Sequence, residues 1–470
     1  MKILLTGATG YIGKRLLPAL ARKGHTIVCC VRDINRFSPP ETFRHLIEVI
    51  EVDFLNKSTL QNIPDDIDAA YYLIHSMSSS NKYDELELES AKNFRTVVDA
   101  TKAQHVIYLS GIINDHSLSK HLASRKAVEG ELEKGDYHFT TLRAGIIIGS
   151  GSASYEIIRD LVEKLPVMVA PKWLETKCQP IAVRDVIDFL EKSLLHEGTF
   201  NRSFDIGGPE ILSYKQILLG YAKARGLKRW IGVVPVMTPK LSSYWLYFIT
   251  STSYKLAAAL VSSMKVEVIC RDNDINSILD IEPMTYDKAL LRTLAAIDTN
   301  QIISSWKDSL ISGRFDQSIS AFIKVPVEGC FIDTRSKIIK DRDQCISKIW
   351  KIGGFTGWYY GDWLWKIRGF IDKLYGGVGL RRGRTNPETI ATGDAVDFWR
   401  VLYANRDEGR LLLFAEMRLP GEAWLEFKVD GEKLRQTATF RPKGLLGRLY
   451  WYSVLPFHGF IFRGLLNKLV

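Results

Sequence analysis

Three glycines lie at intervals of three residues near the start of the chain, within the sequence TGATGYIG: Gly7, Gly10 and Gly13. They follow Lys2–Leu5, which is typical of a strand, and they open the amphipathic segment Tyr11–Lys23. Glycines at such positions permit a sharp turn, a close backbone approach to a bound group, and tight packing of the helix on the sheet. The free N–H groups at the start of the helix would then receive a diphosphate.

The residues of this turn are therefore the predicted contacts with a dinucleotide cofactor. The predicted contacts are Gly7, Ala8, Thr9, Gly10, Tyr11, Ile12 and Gly13. A purely structural turn is the alternative, but the position between the first strand and the first helix favours cofactor binding.

The second strand ends in a residue pair that bears on the choice of dinucleotide. An acidic residue here would bind the ribose 2′-hydroxyl of NAD, whereas an arginine accommodates the 2′-phosphate of NADP. Arg32 comes first and Asp33 follows it, so NADP is favoured and NAD is the alternative. The alternative without a role in cofactor binding is that the two side chains form a salt bridge at the surface.

Two further strand ends are predicted to contact the cofactor. Asp53 and Phe54 end the third strand, where they are expected to hold the adenine edge. His75 and Ser76 follow the fourth strand, where they are expected to pass beside the nicotinamide ribose.

Short apolar segments alternate with amphipathic ones over residues 1–150. The predicted strands are Ile3–Thr6, Thr26–Val31, Glu48–Asp53, Ala69–Ile74, Val106–Ser110 and Phe139–Arg143, and the predicted helices between them include Tyr11–Lys23, Asp84–Ala103 and Lys120–Lys134. This alternation predicts an α/β fold, a Rossmann-type doubly wound parallel sheet. Residues 151–300, with longer helices and brief strands at Gln179–Ala182 and Ser203–Ile206, are predicted to cover the carboxyl ends of the strands as a substrate-side extension.

Residues 1–300 resemble the atypical short-chain dehydrogenases/reductases that have NAD(P)H-binding, NmrA-like domains. The resembling segments are TGATGYIG, VIYLSG (Val106–Gly111), SRKAVEGEL (Ser124–Leu132), LRAGIIIGSGSASYEIIRDLVEKLPVM (Leu142–Met168) and QPIAVRDV (Gln179–Val186). The resemblance implies a Rossmann fold and an NAD(P)H cofactor, and it says little about the substrate.

The chain departs from this family at the residues that would transfer a proton. Short-chain reductases use a Tyr-x-x-x-Lys pair in which tyrosine is the general acid. Lys126 has Leu122 four residues before it, so the tyrosine is missing, whereas Ser110 stands near the position of the family's catalytic serine. Ser110 and Lys126 are the candidate catalytic residues, with a turn residue and a surface lysine as the alternatives. His75 or Tyr155 are other candidate proton donors.

Residues 315–470 have a different pattern, with period-two strands such as Ala423–Val429 and an apolar closing helix, Leu445–Val470. The other predicted strands are Ser320–Val327, Ala395–Tyr403, Arg410–Met417 and Leu434–Arg441, and Asp341–Ile352 is a predicted helix. This α+β segment resembles the START-like helix-grip class, whose members hold lipids, quinones or other apolar molecules between sheet and helix. The aromatic run Trp358–Trp365 is expected in such a pocket or in the core, and His458 in the core.

The charge and the tryptophans concentrate in this second part. The chain has 470 residues and a net charge of +10; from Gln301 onward it carries 27 Lys and Arg against 18 Asp and Glu, and eight of the 11 tryptophans. A peripheral contact with an anionic membrane surface is one expectation, and a solvated basic face is the other. Nucleic acid is not an expected partner, because the basic residues are dispersed apart from the loop Gly376–Arg384.

Composition also bears on the compartment and on metals. None of the six cysteines forms a CxxC pair, so neither a metal site nor a disulfide is predicted. Without an apolar run long enough for a span, a cytoplasmic protein is expected. For the low-charge stretch Leu241–Met264, a packed helix pair is favoured over a membrane-interface segment.

Three functions follow from these observations. The first is an NAD(P)H-dependent oxidoreductase that reduces an apolar carbonyl or quinone-like small molecule. The second is a redox sensor or scaffold that binds NADP(H) without catalysis, and the third is a lipid-binding module with a regulatory nucleotide site.

Overall fold

The computed structural model describes residues 1–32, 34, 37, 39–75, 83–113, 120–234, 264, 266–298, 325, 330–374, 377, 379, 384 and 389–470. Outside these residues lie Asp33, Ser76, nearly all of Leu241–Met264, residues 299–314, and most of Ser320–Val327 and Gly376–Arg384. The chain forms two compact units, Met1–Ile311 and Ser312–Val470.

The first unit alternates strands and helices. Its described strands are β1 (Lys2–Leu5), β2 (Thr26–Val31), β3 (Ile47–Glu51), β4 (Ala69–Tyr72), β5 (His105–Gly111), β6 (His138–Ala144), β7 (Ile147–Ile148), β8 (Val167–Pro171), β9 (Lys177–Cys178), β10 (Ile181–Ala182), β11 (Arg202–Ile206), β12 (Leu212–Ser213) and β13 (Trp230–Val234). Its described helices are α1 (Gly13–Arg22), α2 (Tyr83–Val98), α3 (Lys120–Leu132), α4 (Ala153–Lys164), α5 (Val183–Lys192), α6 (Tyr214–Ala224), α7 (Ile275–Ile278) and α8 (Tyr286–Asp298).

Seven of these strands form one parallel sheet in the order β11-β6-β5-β4-β1-β2-β3. The predicted doubly wound α/β fold is confirmed. The strand order reverses between β1 and β4, so the crevice at their carboxyl ends is where such sheets bind ligands. The predicted segment Ser203–Ile206 belongs to β11, which extends this sheet beside β6 because Phe204 pairs with Leu142 in an apolar register.

The sheet separates two apolar cores, as the sequence of β2 illustrates. Its residues TIVCCV are buried from Ile27 to Val31, as expected of a parallel strand covered on both faces. Cys29 packs in the core on one face with Leu16, and Cys30 packs in the other core with Phe94. The two neighbouring thiols therefore face opposite sides of the sheet.

A third core lies in the extension that follows β6. Helices α4, α6 and α8 pack together there, and Tyr155 is fully buried between them with its ring against that of Tyr221. The hypothesis that Tyr155 supplies a proton is therefore wrong, because its side chain belongs to the core of the extension.

A buried histidine connects the amino ends of β5 and β6 to the chain that follows α5. The N–H of Leu195 donates to Nδ1 of His105 over 3.0 Å, so the ring proton is on Nε2, which lies 2.8 Å from Oγ1 of Thr140. Burial lowers the pKa of His105 to about 3. A second ring proton would point at the Leu195 N–H, so the native state holds the neutral form.

Over its described residues, the second unit is an antiparallel sheet with three helices. Its described strands are β14 (Phe331–Ile338), β15 (Ala395–Val396), β16 (Trp399–Asn405), β17 (Arg410–Ala415), β18 (Gly421–Asp430) and β19 (Lys433–Pro442), in the spatial order β14-β19-β18-β17-β16-β15. Its described helices are α9 (Arg342–Trp350), α10 (Asp362–Leu374) and α11 (Gly444–Leu469).

The predicted α+β architecture of this unit is confirmed, with one correction. The predicted strand Ala395–Tyr403 is two strands, because Asp397 turns the chain with a φ of 53°. Its carboxylate accepts a hydrogen bond from Nε1 of Trp358 over 2.8 Å, which fixes that fully buried indole.

The residues between the sheet and α11 form a filled core, which includes Trp358, Trp365, Phe398 and Phe427. A groove of about 500 Å³ lies at Tyr360, Phe460 and Arg463. The START-like relationship stays a prediction.

The buried His105 predicts a specific loss of stability in acid. Its pKa is lowered in the folded state, so the unfolded chain binds one more proton as the pH falls from about 6.5 towards 3. The contribution of neutral His105 to the free energy of unfolding is fully present above that range, and about 2 kcal/mol of it is lost at pH 5. Denaturant unfolding of the whole chain at pH 5 to 8 measures this loss.

The variant His105→Gln should have a shallower dependence of the free energy of unfolding on pH, even if it is less stable at pH 7. The control His45→Gln replaces an exposed histidine and should keep the wild-type slope. Equal slopes for wild type and His105→Gln would contradict the assignment.

Candidate cofactor site

A single threonine joins the carboxyl ends of the two strands where the sheet order reverses. Thr6 is fully buried, and its Oγ1 donates to the carbonyl oxygen of Tyr71 over 2.9 Å. Oγ1 of Thr6 also accepts a hydrogen bond from the N–H of Leu73 over 3.0 Å. The hydroxyl therefore fixes the start of the glycine turn against the segment that follows β4.

A different steric constraint applies at each of the three glycines of the turn. Gly7 has a φ of 66°, and a Cβ there would lie 2.6 Å from the carbonyl oxygen of Leu73. A Cβ on Gly13 would lie 2.3 Å from the carbonyl oxygen of Gly7, so the start of α1 presses directly on the turn. Gly10 is less enclosed: a Cβ there would meet, within 4 Å, only the carbonyl oxygen of Gly7, at 3.0 Å.

Gly10 thus leaves a cradle on the side of the turn away from the sheet. Its N–H donates to the carbonyl of Gly7 over 2.8 Å, which closes the turn, and Ala8 is buried beneath it. The residue before α1, Ile12, forms no side-chain cap on the helix. Main-chain N–H groups at a helix start attract anions. The residues present therefore fit the diphosphate of a dinucleotide.

Tyr11 secures the turn from the extension side. The guanidinium of Arg15 lies 3.9 Å from the centre of the Tyr11 ring and donates to the carbonyl oxygen of Ser150 over 2.8 Å. Burial raises the pKa of Tyr11 to about 12. Tyr11 and Arg15 therefore hold the glycine turn against the extension, and Thr9 and Ile12 lie half-buried beside them.

The ends of β2 and β3 place the other predicted cofactor residues at the same edge. Arg32 is the first residue beyond β2 and is exposed. Asp53 is half-buried, and its Oδ1 accepts the N–H of Leu55 over 3.0 Å. The ring of Phe54 is buried, with 5.6 Å between its centre and that of Phe94, so only its backbone can face the crevice, and its contact with the adenine edge stays a prediction.

His75 follows β4, and its side chain, which is 25% exposed, joins a polar cluster on the neighbouring helices. Its Nδ1 lies 2.9 Å from Oε1 of Glu87 on α2, and Oγ of Ser124 on α3 donates to Oε2 of Glu87 over 2.5 Å. Both Glu87 and Ser124 are buried. Burial, with the positive charge of Arg125, lowers the pKa of His75 to about 4. The cluster therefore holds a neutral imidazole that is only a weak base at neutral pH.

Ser110 lies on the next strand, close to this cluster. It is 3% exposed, near the carboxyl end of β5. Burial raises the pKa of Tyr108, and Arg125 and Ser110 oppose that rise, which places all three groups together. Arg125 also donates to the carbonyl oxygen of Leu109 over 3.3 Å.

The position of the missing tyrosine is filled by an apolar side chain. Leu122 is 9% exposed, and its Cδ2 lies 3.5 Å from where a Cβ on Gly111 would be. It thus faces the end of β5, beside Ser110. Lys126, one turn later on α3, is exposed. Leu122 therefore lies one helical turn before Lys126, at the position where the resemblance to short-chain reductases predicts a tyrosine.

The sequence analysis missed Glu87, Ser124 and Arg125. Glu87 lies in DELELES, a run of alternating acids and leucines that indicates a solvated helix surface, and nothing in that run marks one acid as buried. The segment SRK held the only signal, since a serine and an arginine precede Lys126 directly.

Comparison with known proteins agrees with this architecture. Residues 3–112 match the model of the NAD dependent epimerase/dehydratase family, and residues 329–465 match a family described as protein of unknown function (DUF2867). The first unit therefore contains a Rossmann-type parallel sheet, and its residues 3–112 are similar to the NAD dependent epimerase/dehydratase family.

Two curated relatives match over about half of their length. The chloroplastic divinyl chlorophyllide a 8-vinyl-reductase of Arabidopsis thaliana is 26% identical over 227 residues, 44% of this chain and 54% of that protein. The mitochondrial NADH-ubiquinone oxidoreductase 40 kDa subunit of Neurospora crassa is 23% identical over 223 residues, 45% of this chain and 56% of that protein. Both matches leave nearly half of the relative unmatched.

The solved structure of triphenylmethane reductase from Citrobacter sp. has a similar fold. It is 16% identical, with a TM-score of 0.51, and the match covers 63% of this chain and all of that chain. At this identity the likeness extends to the fold.

The open side of Gly10 predicts a variant that binds the cofactor poorly but still folds. In Gly10→Ala the added methyl group meets one carbonyl oxygen at 3.0 Å and otherwise enters the space of the diphosphate. We expect the Kd for NADPH to rise at least about tenfold, while the midpoint of thermal unfolding shifts by no more than about 2 °C. Fluorescence titration and calorimetry measure the two quantities.

Gly130→Ala is the matched control, because a Cβ on this α3 residue would meet nothing within 4 Å. It should leave cofactor binding unchanged. A Gly10→Ala variant that binds NADPH like wild type would exclude this turn as the diphosphate site.

Proposed function

We propose that the protein is an NADPH-dependent oxidoreductase that reduces an apolar carbonyl or quinone-like substrate, with conjugated, quinone-like acceptors strongly preferred. The observation that carries this proposal is Leu122, a buried leucine four residues before Lys126, where the resemblance to short-chain reductases predicts the catalytic tyrosine. When bound, the nicotinamide supplies a hydride.

The preference follows from the charge that the acceptor gains. A saturated ketone becomes an alkoxide, a strong base that needs an acid beside it in the transition state. A quinone or a long conjugated system spreads the charge over many atoms, so protonation can follow later from water. Leucine at position 122 supports the second kind of acceptor, because its side chain has no proton to donate.

The neighbouring polar groups agree with this preference. The pKa of His75, lowered to about 4, leaves the imidazole neutral at pH 7, so that it is a poor acid. We assign Ser110 to hold an oxygen of the acceptor and Lys126 to hold the ribose. We expect Ser110→Ala to lower the activity without loss of folding, because in this assignment the serine hydroxyl contacts the acceptor oxygen and does not supply a proton.

The choice of NADPH rests on Arg32. It is exposed at the end of β2, where its guanidinium can pair with a 2′-phosphate. NAD carries an uncharged 2′-hydroxyl at this position, which gains little from a neighbouring guanidinium.

The names of the two curated relatives support a large apolar substrate. One is named for a chlorophyllide and the other for ubiquinone. Both compounds are conjugated ring systems that can delocalise an added charge.

Leu122 also favours a second candidate function, a sensor that binds NADP(H) without turning over a substrate. The two functions differ in one readout. A sensor binds NADPH tightly, distinguishes it from NADP⁺ and gives no turnover with any acceptor.

Replacing Arg32 tests the cofactor. Arg32→Ala should raise the Kd for NADPH about tenfold or more, by loss of one charged contact with phosphate, and leave the Kd for NADH nearly unchanged. Titration of both dinucleotides measures this. Arg22→Ala, on the last turn of α1, is a control of equal charge change. Equal losses for NADPH and NADH would refute the 2′-phosphate contact.

Substrate preference is tested by NADPH oxidation with 1,4-naphthoquinone and with 1-decalone, a saturated ketone of similar size. We expect the ketone to react at least about a hundredfold more slowly, because no phenol is in place. Leu122→Tyr should raise the ketone rate, whereas Leu122→Phe should not.

These two variants place rings of equal size at one position and differ only by the hydroxyl. Equal ketone rates in both would contradict the role of this position. Tight NADPH binding without quinone turnover in the wild type would select the sensor.

A further inference from the structure

Helix α10 of the second unit presents an apolar face to solvent. Its exposed apolar side chains are Trp363, Ile367, Phe370, Ile371 and Leu374. Their spacing of three or four residues places them on one side of the helix. The opposite side buries Trp365 in the core of the unit. This helix therefore has apolar residues on both sides. One side packs in the core, and the other lies exposed.

Helix α11 has the same property along its first four turns. Its most exposed apolar side chains are Leu445, Leu446, Leu449, Tyr452, Phe457 and Phe460, and Leu445 is 73% exposed. Its core contacts come from Trp451 and, later in the helix, from Phe462 and Leu465. A helix that is apolar all round is normally enclosed on every side.

The two helices are neighbours. Nε of Arg368 on α10 lies 3.4 Å from the hydroxyl of Tyr450 on α11, and its guanidinium lies 5.8 Å from the centre of that ring. Near the other end of α10, a Cβ on Gly361 would lie 3.5 Å from Cγ1 of Ile461. The exposed residues of α10 and α11 named above are called here the apolar surface.

Positive charge borders the apolar surface. The sequence of α11 contains no aspartate or glutamate, and Arg448 and Arg463 are exposed on it. On α10, Lys366 is exposed, whereas the carboxylate of Asp372 is buried and accepts the N–H of Arg418 over 2.6 Å.

We propose that the apolar surface binds the headgroup region of an anionic phospholipid bilayer, with the second unit lying on the membrane. Tryptophan, tyrosine and phenylalanine favour this interface, and arginine and lysine beside them attract anionic headgroups. A second copy of the chain fits less well, because two such basic faces repel each other. Within the described part of the chain no helix is both long and apolar enough to span a bilayer, which agrees with a peripheral position.

The test is sedimentation of the full chain with vesicles of phosphatidylcholine containing about 30 mol% phosphatidylglycerol, compared with pure phosphatidylcholine. We expect binding to the anionic vesicles that weakens as salt rises from about 0.1 to 0.5 M, since salt screens the headgroup attraction. Two double variants, Trp363→Gln with Phe370→Gln and Leu445→Gln with Leu449→Gln, should each lower the partition coefficient at least about tenfold.

Trp230→Gln with Leu291→Gln is the matched control. These first-unit residues are 62% and 60% exposed, so the control removes as much exposed apolar surface. It should bind vesicles like wild type. Thermal unfolding of each variant checks that the chain is folded.

A second readout locates the contact. Lipids with brominated chains should quench tryptophan fluorescence in the wild type, and Trp363→Phe should lose part of that quenching. The proposal is overturned if folded wild type fails to bind anionic vesicles, or if the surface variants bind like the control. A dimer that the surface variants dissociate, without vesicle binding by the wild type, would identify a second copy as the occupant.

Discussion

The cofactor crevice depends on how closely β1 and β4 can approach at their carboxyl ends. The Thr6 hydroxyl satisfies a carbonyl and an N–H of the neighbouring segment at once, and Gly7 passes the Leu73 carbonyl with no room for a Cβ. The turn, the start of α1 and the position of His75 all follow from this contact. A larger side chain at position 7 would separate the two strands, and the main-chain N–H groups would no longer converge on one point.

The sequence predicted the sheet well because each strand carries its own local signal. Strand β2 has the predicted bounds, and the other five predicted strands of residues 1–150 end within two residues of theirs. The glycine turn was recognisable for the same reason. Glu87 was not, because its burial depends on His75 and Ser124, which other segments bring to it. The burial of the Phe54 side chain was not predicted, since alternation along a strand does not say how the chain turns after it.

The second unit shows how one sequence pattern can carry two meanings. The sequence of its apolar closing helix indicated a core element. The second half of the helix, which contains Phe462 and Leu465, does lie in the core. The first half has the same composition but presents leucines and aromatic rings to solvent. Composition alone could not separate the two halves, because both are apolar and they differ in which side chains are buried.

The burial of the cysteines has a practical consequence for spectroscopy. Burial raises the pKa of every thiol in the chain, to about 12 for Cys29 and about 11 for Cys345, so thiolate is scarce at neutral pH. Maleimide reagents attack the thiolate. A new cysteine introduced at an exposed position would therefore react far faster than the four buried native cysteines, Cys29, Cys30, Cys178 and Cys345.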